Sequence, residues 1–233
     1  MSTIALFSAL YGDYDAFPQV NEAVSIPAIM YTDRSESAHK GLGHGWNEIN
    51  IVDHHILTFN GDPTITAPML AHKYWKMFAG FDTYDITVWM DASMTIARPA
   101  EFEQLCREAI GGVDVALMAH PWRSTLYEEA DFSAGLPRYA SLSEQIKGQA
   151  TFYSSIGIPA DTGLYASGFY IRRNNDRVRK LMEDWWWECV TRTHQDQISL
   201  PAVLHLNPEV THRVCLPWHD GPNSWTHLGF HLK

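Results

Sequence analysis

One apolar segment that ends in an acid constrains this chain more than any other feature. Residues 86–90 read Ile-Thr-Val-Trp-Met, and Asp91, Ala92 and Ser93 follow. A short apolar run of this kind is typical of a strand that is buried on both faces of a parallel sheet. Open α/β sheets bind ligands at the carboxyl ends of their strands, where a carboxylate can hold Mg²⁺ or Mn²⁺. Asp91 is therefore either a ligand-site residue or only the cap of the turn after the strand.

The composition indicates an ordinary globular protein. A length of 233 residues with 45% hydrophobic and 19% charged residues suits one α/β domain and argues against disorder. A net charge of −10 gives no basic footprint, so nucleic acid is not an expected partner. The cysteines are far apart in sequence with no CxxC spacing, which favours reduced thiols. No signal peptide or membrane span is predicted, and we expect a cytoplasmic protein.

Further strands are predicted near the N-terminus, and polar residues follow two of them. Residues 4–9 form an apolar run that leads into Tyr11, Gly12 and Asp13, and residues 28–32 lead into Asp33. The first turn has neither a dinucleotide-binding fingerprint nor a P-loop. Tyr11 either contacts a base and ribose or is a half-buried turn residue. A third strand is predicted over residues 46–52, and the adjacent His54-His55 pair is interpreted as surface or loop.

Helical spacing is predicted over residues 68–78, 100–110, 141–153 and 175–189, and another helix opens near residue 193. Lys73 and Lys76 share one face of the first helix. A solvated lysine face is the ordinary explanation, but this helix leads into the strand before Asp91, so a lysine close to a bound diphosphate is the alternative. The three consecutive tryptophans 185–187 cannot all face one way, so some belong to the core and at least one lies near the surface.

Small residues and acids mark the last third of the chain. A strand is predicted over residues 113–118, and a glycine-bordered strand over residues 161–173 would let a ligand approach the backbone closely. Asp196 and Gln197 lie in the first turn of the last helix, where an acid is favoured by the helix dipole alone. The tail from residue 216 is rich in His, Trp and Gly.

In this order, the segments resemble a GT-A-type glycosyltransferase. More closely, they resemble the glycosyltransferase-like family of plant mucilage and pectin-related proteins and of bacteria. The residues that carry the resemblance are Tyr11-Gly12-Asp13-Tyr14-Asp15, Tyr31-Thr32-Asp33, Trp89-Met90-Asp91-Ala92, His120-Pro121-Trp122-Arg123, Tyr127-Glu128-Glu129-Ala130, Gly168-Phe169-Tyr170-Ile171-Arg172-Arg173 and residues 192–200.

The resemblance implies a single Rossmann-like domain over residues 1–233, with a mixed, mostly parallel sheet flanked by helices. Residues 1–118 would form the donor half and residues 119–233 the acceptor and catalytic half. The donor would be a nucleotide sugar, most often of uridine diphosphate, and the acceptor a saccharide or other hydroxyl. A divalent cation, Mn²⁺ or Mg²⁺, would be held by an Asp-x-Asp motif. Asp91 supplies its first acid and Ser93 stands in place of the second, so His227 or His231 is expected as an added ligand.

The resemblance also implies roles for individual residues. Asp196 and Gln197 would face the reacting carbon, where a carboxylate can stabilise an oxocarbenium-like centre or orient the acceptor hydroxyl. The metal and Lys73 would stabilise the leaving diphosphate, with retention of configuration. The residues expected to bind the donor are Tyr11, Asp13, Asp33, Lys73, Ala166, Ser167 and Gly168.

Two other functions fit parts of the sequence. A metal-dependent hydrolase would use the His and Asp clusters, although no HExxH or comparable spacing is present. A catalytically silent module that binds nucleotide sugars or glycans would explain why the second acid of the metal motif is replaced by Ser93.

Overall fold

Strands and helices alternate along much of this computed structural model, which describes residues 1–12, 17–35, 45–53, 68–219 and 223–228. The strands are β1 (Ile4–Leu10), β2 (Ala28–Thr32), β3 (Glu48–Ile51), β4 (Ile86–Met90), β5 (Met94–Ile96), β6 (Val115–Met118), β7 (Phe169–Arg173), β8 (His212–Leu216) and β9 (Thr226–Leu228). The helices are α1 (Pro68–Phe78), α2 (Phe102–Ala109), α3 (Leu126–Ala134), α4 (Ser143–Ser155), α5 (Asp176–Thr191) and α6 (Asp196–Leu206), with short 3₁₀ helices at Pro99–Glu101, Pro137–Leu142 and Ala160–Thr162.

The main sheet has the strand order β3-β2-β1-β4-β7-β6-β8. Its neighbouring strands are parallel except where β7 pairs antiparallel with β4 and β6. The mixed, mostly parallel sheet predicted from the sequence is therefore confirmed. The chain adds β2 on one side of β1 and β4 on the other, which creates a crevice at the carboxyl ends of β1 and β4. Strands β5 and β9 form a separate antiparallel pair.

Strand β4 is buried on both faces, as its sequence predicts. Ile86, Val88 and Met90 point into the apolar cluster on one side of the sheet. Trp89 belongs to the cluster on the other side. Because side chains alternate along a strand, an apolar run with no polar partner face has to lie between two packed layers.

Helices α1, α5 and α6 cover the Trp89 face of the sheet. Helix α1 contacts β1 and α5, and α5 contacts α6. Trp185 and Trp186 of α5 are fully buried, whereas Trp187 is 59% exposed. The tryptophan triplet therefore divides between core and surface, as the helical geometry requires.

The glycine-bordered segment differs from its prediction. The predicted strand over residues 161–173 begins only at Phe169. Residues 160–162 form a 3₁₀ turn that ends at Gly163, whose φ of +84° breaks an extended backbone. Beyond it, Tyr165 makes only an isolated bridge to Ala119. Among the helices in the described part of the chain, none is both long and apolar enough to cross a bilayer.

Candidate functional site

A cavity of about 580 Å³ lies at the carboxyl ends of β1 and β4. This is the crevice that the strand order creates, and its volume is within the range of small-molecule sites. The described residues around it come from the ends of β1 and β4, one face of α1, the 3₁₀ turn before α4, the segment before β7, and the start of α6. They include Tyr11, Gly12, Met69, His72, Lys73, Lys76, Asp91, Ser93, Arg138, Tyr139, Ser167, Gly168, Gln195, Asp196 and Gln197.

Helix α1 presents one polar stripe to the cavity. Met69, His72, Lys73 and Lys76 follow the i, i+3, i+4, i+7 spacing that places residues on one helix face, and all four line the cavity. Pro68 occupies the first turn, where its missing N–H costs nothing. Only 8% of Lys73 and 1% of Lys76 is exposed. The ordinary explanation of a solvated lysine face is therefore wrong, and both ammonium groups belong to the site.

The two buried lysines form an ionic cluster with the buried Asp196 and the half-buried Asp91. Lys73 Nζ lies 2.9 Å from Asp196 Oδ1, and Lys76 Nζ lies 2.8 Å from Asp196 Oδ2. Lys76 Nζ is also 3.4 Å from Asp91 Oδ1, so its ammonium lies between the two carboxylates. His72 Nε2 is 3.4 Å from the same Asp91 oxygen. We call Lys73, Lys76, Asp91 and Asp196 the charged quartet.

Mutual attraction keeps Asp91, Asp196 and Lys76 ionised in spite of desolvation. Burial would raise the pKa of Asp91 and of Asp196, but Lys76 beside Asp91 and Lys73 and Lys76 beside Asp196 hold both well below the usual range. Burial would lower the pKa of Lys76, but Asp196 and Asp91 outweigh it and raise that pKa. Burial lowers the pKa of His72 against the pull of Asp91. His72 is therefore neutral at pH 7, and its Nδ1 has no hydrogen-bond partner among the described residues.

Asp196 is fixed by the residues around the start of α6. The Trp185 indole N–H donates to its backbone carbonyl at 2.9 Å, and the Ser167 hydroxyl donates to its carboxylate at 3.3 Å. The preceding Gln195 donates to Glu129 and Ser133 of α3 at 3.1 and 2.9 Å. Two helices and the segment before β7 thus position this carboxylate, which is only 3% exposed.

Asp91 is held at the end of β4 and faces the cavity. The Trp89 indole N–H donates to its Oδ1 at 2.7 Å, and its own N–H donates to the Gly168 carbonyl at 2.8 Å. A Cβ on Gly168 would lie 3.1 Å from Asp91 Oδ2 and 2.4 Å from the Met94 methyl. A side chain at this position would therefore crowd the Asp91 carboxylate and the end of Met94. The close approach of a ligand to this backbone stays a prediction.

The loop after β1 is clamped from both sides. Asp33 accepts the Gly12 N–H on both carboxylate oxygens, at 3.1 and 3.2 Å, and the Arg34 guanidinium donates to the Gly12 carbonyl. Gly12 has a φ of +65°, which glycine adopts without strain. Tyr11 is 6% exposed, and its hydroxyl accepts the Trp75 indole N–H at 2.8 Å. Asp33 shapes this loop but does not itself line the cavity.

The remaining predicted site residues divide into three groups. Ser93, Ser167, Gly168 and Gln197 line the cavity. Ala166 and His227 do not line the cavity. Ala166 is buried and donates its N–H to the Met118 carbonyl. His227 is an exposed residue of β9 opposite Thr95. Asp13, His231 and the His54-His55 pair lie outside the described residues.

Several residues of the site were not among those expected from the sequence. His72 could have been found from the helical stripe that starts at Met69, because the sequence already places Lys73 and Lys76 on that face. Gln195 stands beside the predicted Asp196 and holds it through α3. Arg138 and Tyr139 line the cavity from a 3₁₀ turn between α3 and α4, with the Arg138 guanidinium 5.0 Å above the Tyr139 ring centre. No local motif marks them.

The donor atoms near Asp91 determine whether the expected divalent cation can bind there. Asp91 Oδ1 already accepts the Trp89 N–H and lies near His72 and Lys76, and Ser93 offers only a neutral hydroxyl. Within the described ranges, no group of three or more His, Cys, Asp and Glu side chains is arranged to hold a metal ion. A divalent cation prefers several oxygen ligands that are free to coordinate it. The described donor set does not fit such an ion.

Comparison with known proteins gives structural likeness only. No family model and no curated protein matches the sequence. Similar solved structures include the bifunctional glycosyltransferase WbbM (TM-score 0.51, 12% identity, covering 92% of this chain and 39% of that one), the mannosyltransferase Ktr4p from S. cerevisiae (0.48, 10%, 87% and 65%) and mouse xyloside xylosyltransferase 1 (0.47, 10%, 93% and 86%). This chain thus spans 65% of Ktr4p and 39% of WbbM. None of these structures bears on the narrower plant mucilage resemblance, which stays a prediction. The sheet topology and the likeness to WbbM together show that the chain has a glycosyltransferase fold.

Proposed function

We propose that this chain is a glycosyltransferase that moves a sugar from a nucleoside diphosphate donor to an acceptor hydroxyl. A uridine diphosphate sugar is the first donor to test. The observation that carries the proposal is the buried Asp196 carboxylate, which Lys73 and Lys76 hold inside a cavity at the switch point of the sheet. α/β folds bind nucleotides at this place, and the cavity has the volume of a small-molecule site.

The charges of the cavity match those that develop during sugar transfer. The anomeric carbon becomes positive as the bond to the diphosphate breaks, and the leaving diphosphate gains negative charge. Lys73, Lys76 and Arg138 line the cavity and would stabilise the diphosphate, while Asp196 would stabilise the positive carbon. Fixed charges of this kind lower the barrier because they need no reorganisation during the reaction.

The ionisation of the acids supports retention of configuration. Inversion needs a general base that takes the acceptor proton. The low pKa values of Asp91 and Asp196 make both of them weak bases. The Nε2 atom of His72 lies 3.4 Å from Asp91, and its Nδ1 atom is buried. A carboxylate that acts by charge fits this site better than one that accepts a proton.

An exposed tryptophan supports a saccharide acceptor. Trp122 is 72% exposed and lies edge-on to Trp218, with ring centres 5.4 Å apart. These residues follow β6 and β8, whose carboxyl ends share the edge of the sheet that carries the cavity. Strand spacing places β6 about 10 Å from β4. The negative face of an aromatic ring attracts the partly positive C–H groups of a sugar ring.

The proposed division of labour follows the chain. Residues 1–118 would supply the donor side, with α1 and Asp91 near the diphosphate. Residues 119–233 would supply the acceptor and catalytic side, with Asp196 and Gln197 near the reacting carbon and Trp122 further out.

Donor turnover tests the proposal. The protein is incubated, with Mn²⁺ present, with uridine, guanosine, adenosine and thymidine diphosphate sugars, and released nucleoside diphosphate is measured by chromatography. We expect slow hydrolysis of at least one donor, and Asp196→Asn should lower its rate about 100-fold or more. Asp161→Asn, at an exposed position outside the cavity, is the matched control and should leave the rate unchanged. If no donor is consumed and no nucleoside diphosphate binds, the proposal is wrong.

A further inference from the structure

We propose that Lys76, with Lys73, supplies the positive charge that a divalent metal ion would otherwise bring to the donor's diphosphate, so that this chain binds its nucleotide without a metal. The inference rests on the proposed function and deepens it. The family resemblance implies a diphosphate contact for Lys73 and a metal at Asp91, and it implies no separate role for Lys76.

The position of Lys76 carries the argument. Its ammonium lies 2.8 Å from Asp196 and 3.4 Å from Asp91, between two carboxylates that face one cavity. Two acids that converge on one point are the usual surroundings of a bound cation. Here the cation between them is part of the chain, and its side chain is 1% exposed. A divalent ion at Asp91 would have to displace this ammonium or bind against its repulsion.

The ligands that a metal would need are also weak. Ser93 offers a hydroxyl where the Asp-x-Asp motif has its second acid, and His227 lies away from the cavity in β9. The Oδ1 atom of Asp91 is taken by the Trp89 indole N–H. Among the described residues this leaves one oxygen of one carboxylate, which is a poor site for an ion that prefers several oxygen ligands.

The cations around the cavity outnumber the acids. Lys73, Lys76 and Arg138 carry three positive charges, while Asp91 and Asp196 carry two negative charges, which leaves one positive charge among these described residues. The Lys76 contacts to Asp91 and to the Ser167 hydroxyl are both 3.4 Å, which is long for an ammonium hydrogen bond. A phosphate oxygen can therefore replace one of them while Asp196 keeps the ammonium in place.

Nucleotide binding with and without metal tests the inference on the unmodified protein. Calorimetry measures the Kd of uridine and guanosine diphosphate in EDTA and then in Mn²⁺, and electron paramagnetic resonance measures how much Mn²⁺ the protein binds. We expect the better nucleotide to bind in EDTA with a Kd within about threefold of that in Mn²⁺. We also expect that the protein–nucleotide complex binds no stoichiometric Mn²⁺.

The opposite results separate the two proposals. Binding that tightens about tenfold or more with Mn²⁺, or one Mn²⁺ bound per complex, overturns the inference and leaves the proposed transferase standing. Absence of nucleotide binding in both buffers overturns both proposals together.

Two lysine variants add a second test. Lys73→Met should weaken nucleotide binding in EDTA about tenfold or more, because it removes a cation from the cavity and leaves the Asp91–Lys76–Asp196 bridge in place. Lys147→Met replaces an exposed lysine of α4 and should leave the Kd unchanged. Equal binding by both variants, with folding checked by circular dichroism, would contradict the inference.

Discussion

Replacing Lys76 with methionine is the most direct way to examine the charged quartet. The substitution keeps an unbranched side chain of similar length but removes the ammonium between Asp91 and Asp196. Of the charges in the quartet, one positive and two negative would remain. Asp196 keeps Lys73, so the carboxylate that loses its counterion is Asp91, whose side chain is 26% exposed. At an effective dielectric constant of 20, the lost attractions at 2.8 and 3.4 Å are about 6 and about 5 kcal/mol before desolvation is subtracted.

Desolvation offsets much of that attraction, and breaking a buried ion pair by removing one partner costs about 3–5 kcal/mol in measured cases. We therefore expect Lys76→Met to lower the free energy of unfolding by about 3–5 kcal/mol at pH 7. For a chain of this size, the midpoint of thermal unfolding should fall by about 10 °C. Urea unfolding followed by circular dichroism measures the change.

Two controls make the result specific to charge. Lys147→Met breaks an exposed pair with Glu144, whose side chain is 90% exposed, and should change stability by about 0.5 kcal/mol or less. Adding Asp196→Asn to Lys76→Met restores charge balance, and the double variant should recover about 1–3 kcal/mol relative to additivity. A loss for Lys76→Met no larger than that for Lys147→Met, or strict additivity in the double variant, would show that the quartet is not an ionic cluster in solution.

Three further predictions follow from the same site. Gly168→Ala should lower donor turnover about tenfold or more, because its Cβ would press on Asp91. Gly148→Ala, in open space on α4, is the control: it should leave turnover unchanged and raise the free energy of unfolding by about 0.5–1 kcal/mol. Equal turnover in both variants would refute the crowding argument. Trp122→Ala should raise the KM for a saccharide acceptor and leave the rate of donor hydrolysis unchanged. Steady-state kinetics with and without acceptor measure the two quantities, and a change in both would contradict an acceptor role for Trp122. The folded-state pKa values of Asp91 and Asp196 lie below the unfolded value of about 4, so their stabilisation is complete above about pH 5 and disappears as the pH falls. Urea midpoints between pH 7 and pH 2 should therefore fall, and a flat profile would contradict the assigned ionisation.

The order of the main elements was predictable because it depends on local patterns. The run from Ile86 to Met90 has no polar face, so it had to be buried on both sides. The helix over residues 68–78 was predicted with the bounds that the structure shows, since Pro68 marks its start and the apolar spacing its extent. Asp91 follows strand β4, Asp196 begins α6, and both line the cavity.

The state of the lysines was not predictable in this way. Helical spacing shows that Lys73 and Lys76 share a face, but it does not show what the face meets. Burial of an ammonium costs free energy unless it is paired with a carboxylate. The partner of Lys76 is Asp196, which is 120 residues further along the chain.

The sequence by itself determined the strands, the helices and the acids at their ends, because these depend on neighbours a few residues apart. Only the tertiary structure decided which charges meet. Parallel pairing of β1 with β4 opened the cavity, and the packing of α5 against both α1 and α6 brought Asp196 close to the two lysines. The tertiary structure also decided that Asp33 accepts a hydrogen bond from the Gly12 N–H and that the Tyr11 hydroxyl accepts one from Trp75. Long-range contacts of this kind are fixed by how whole elements pack, which no local residue pattern encodes.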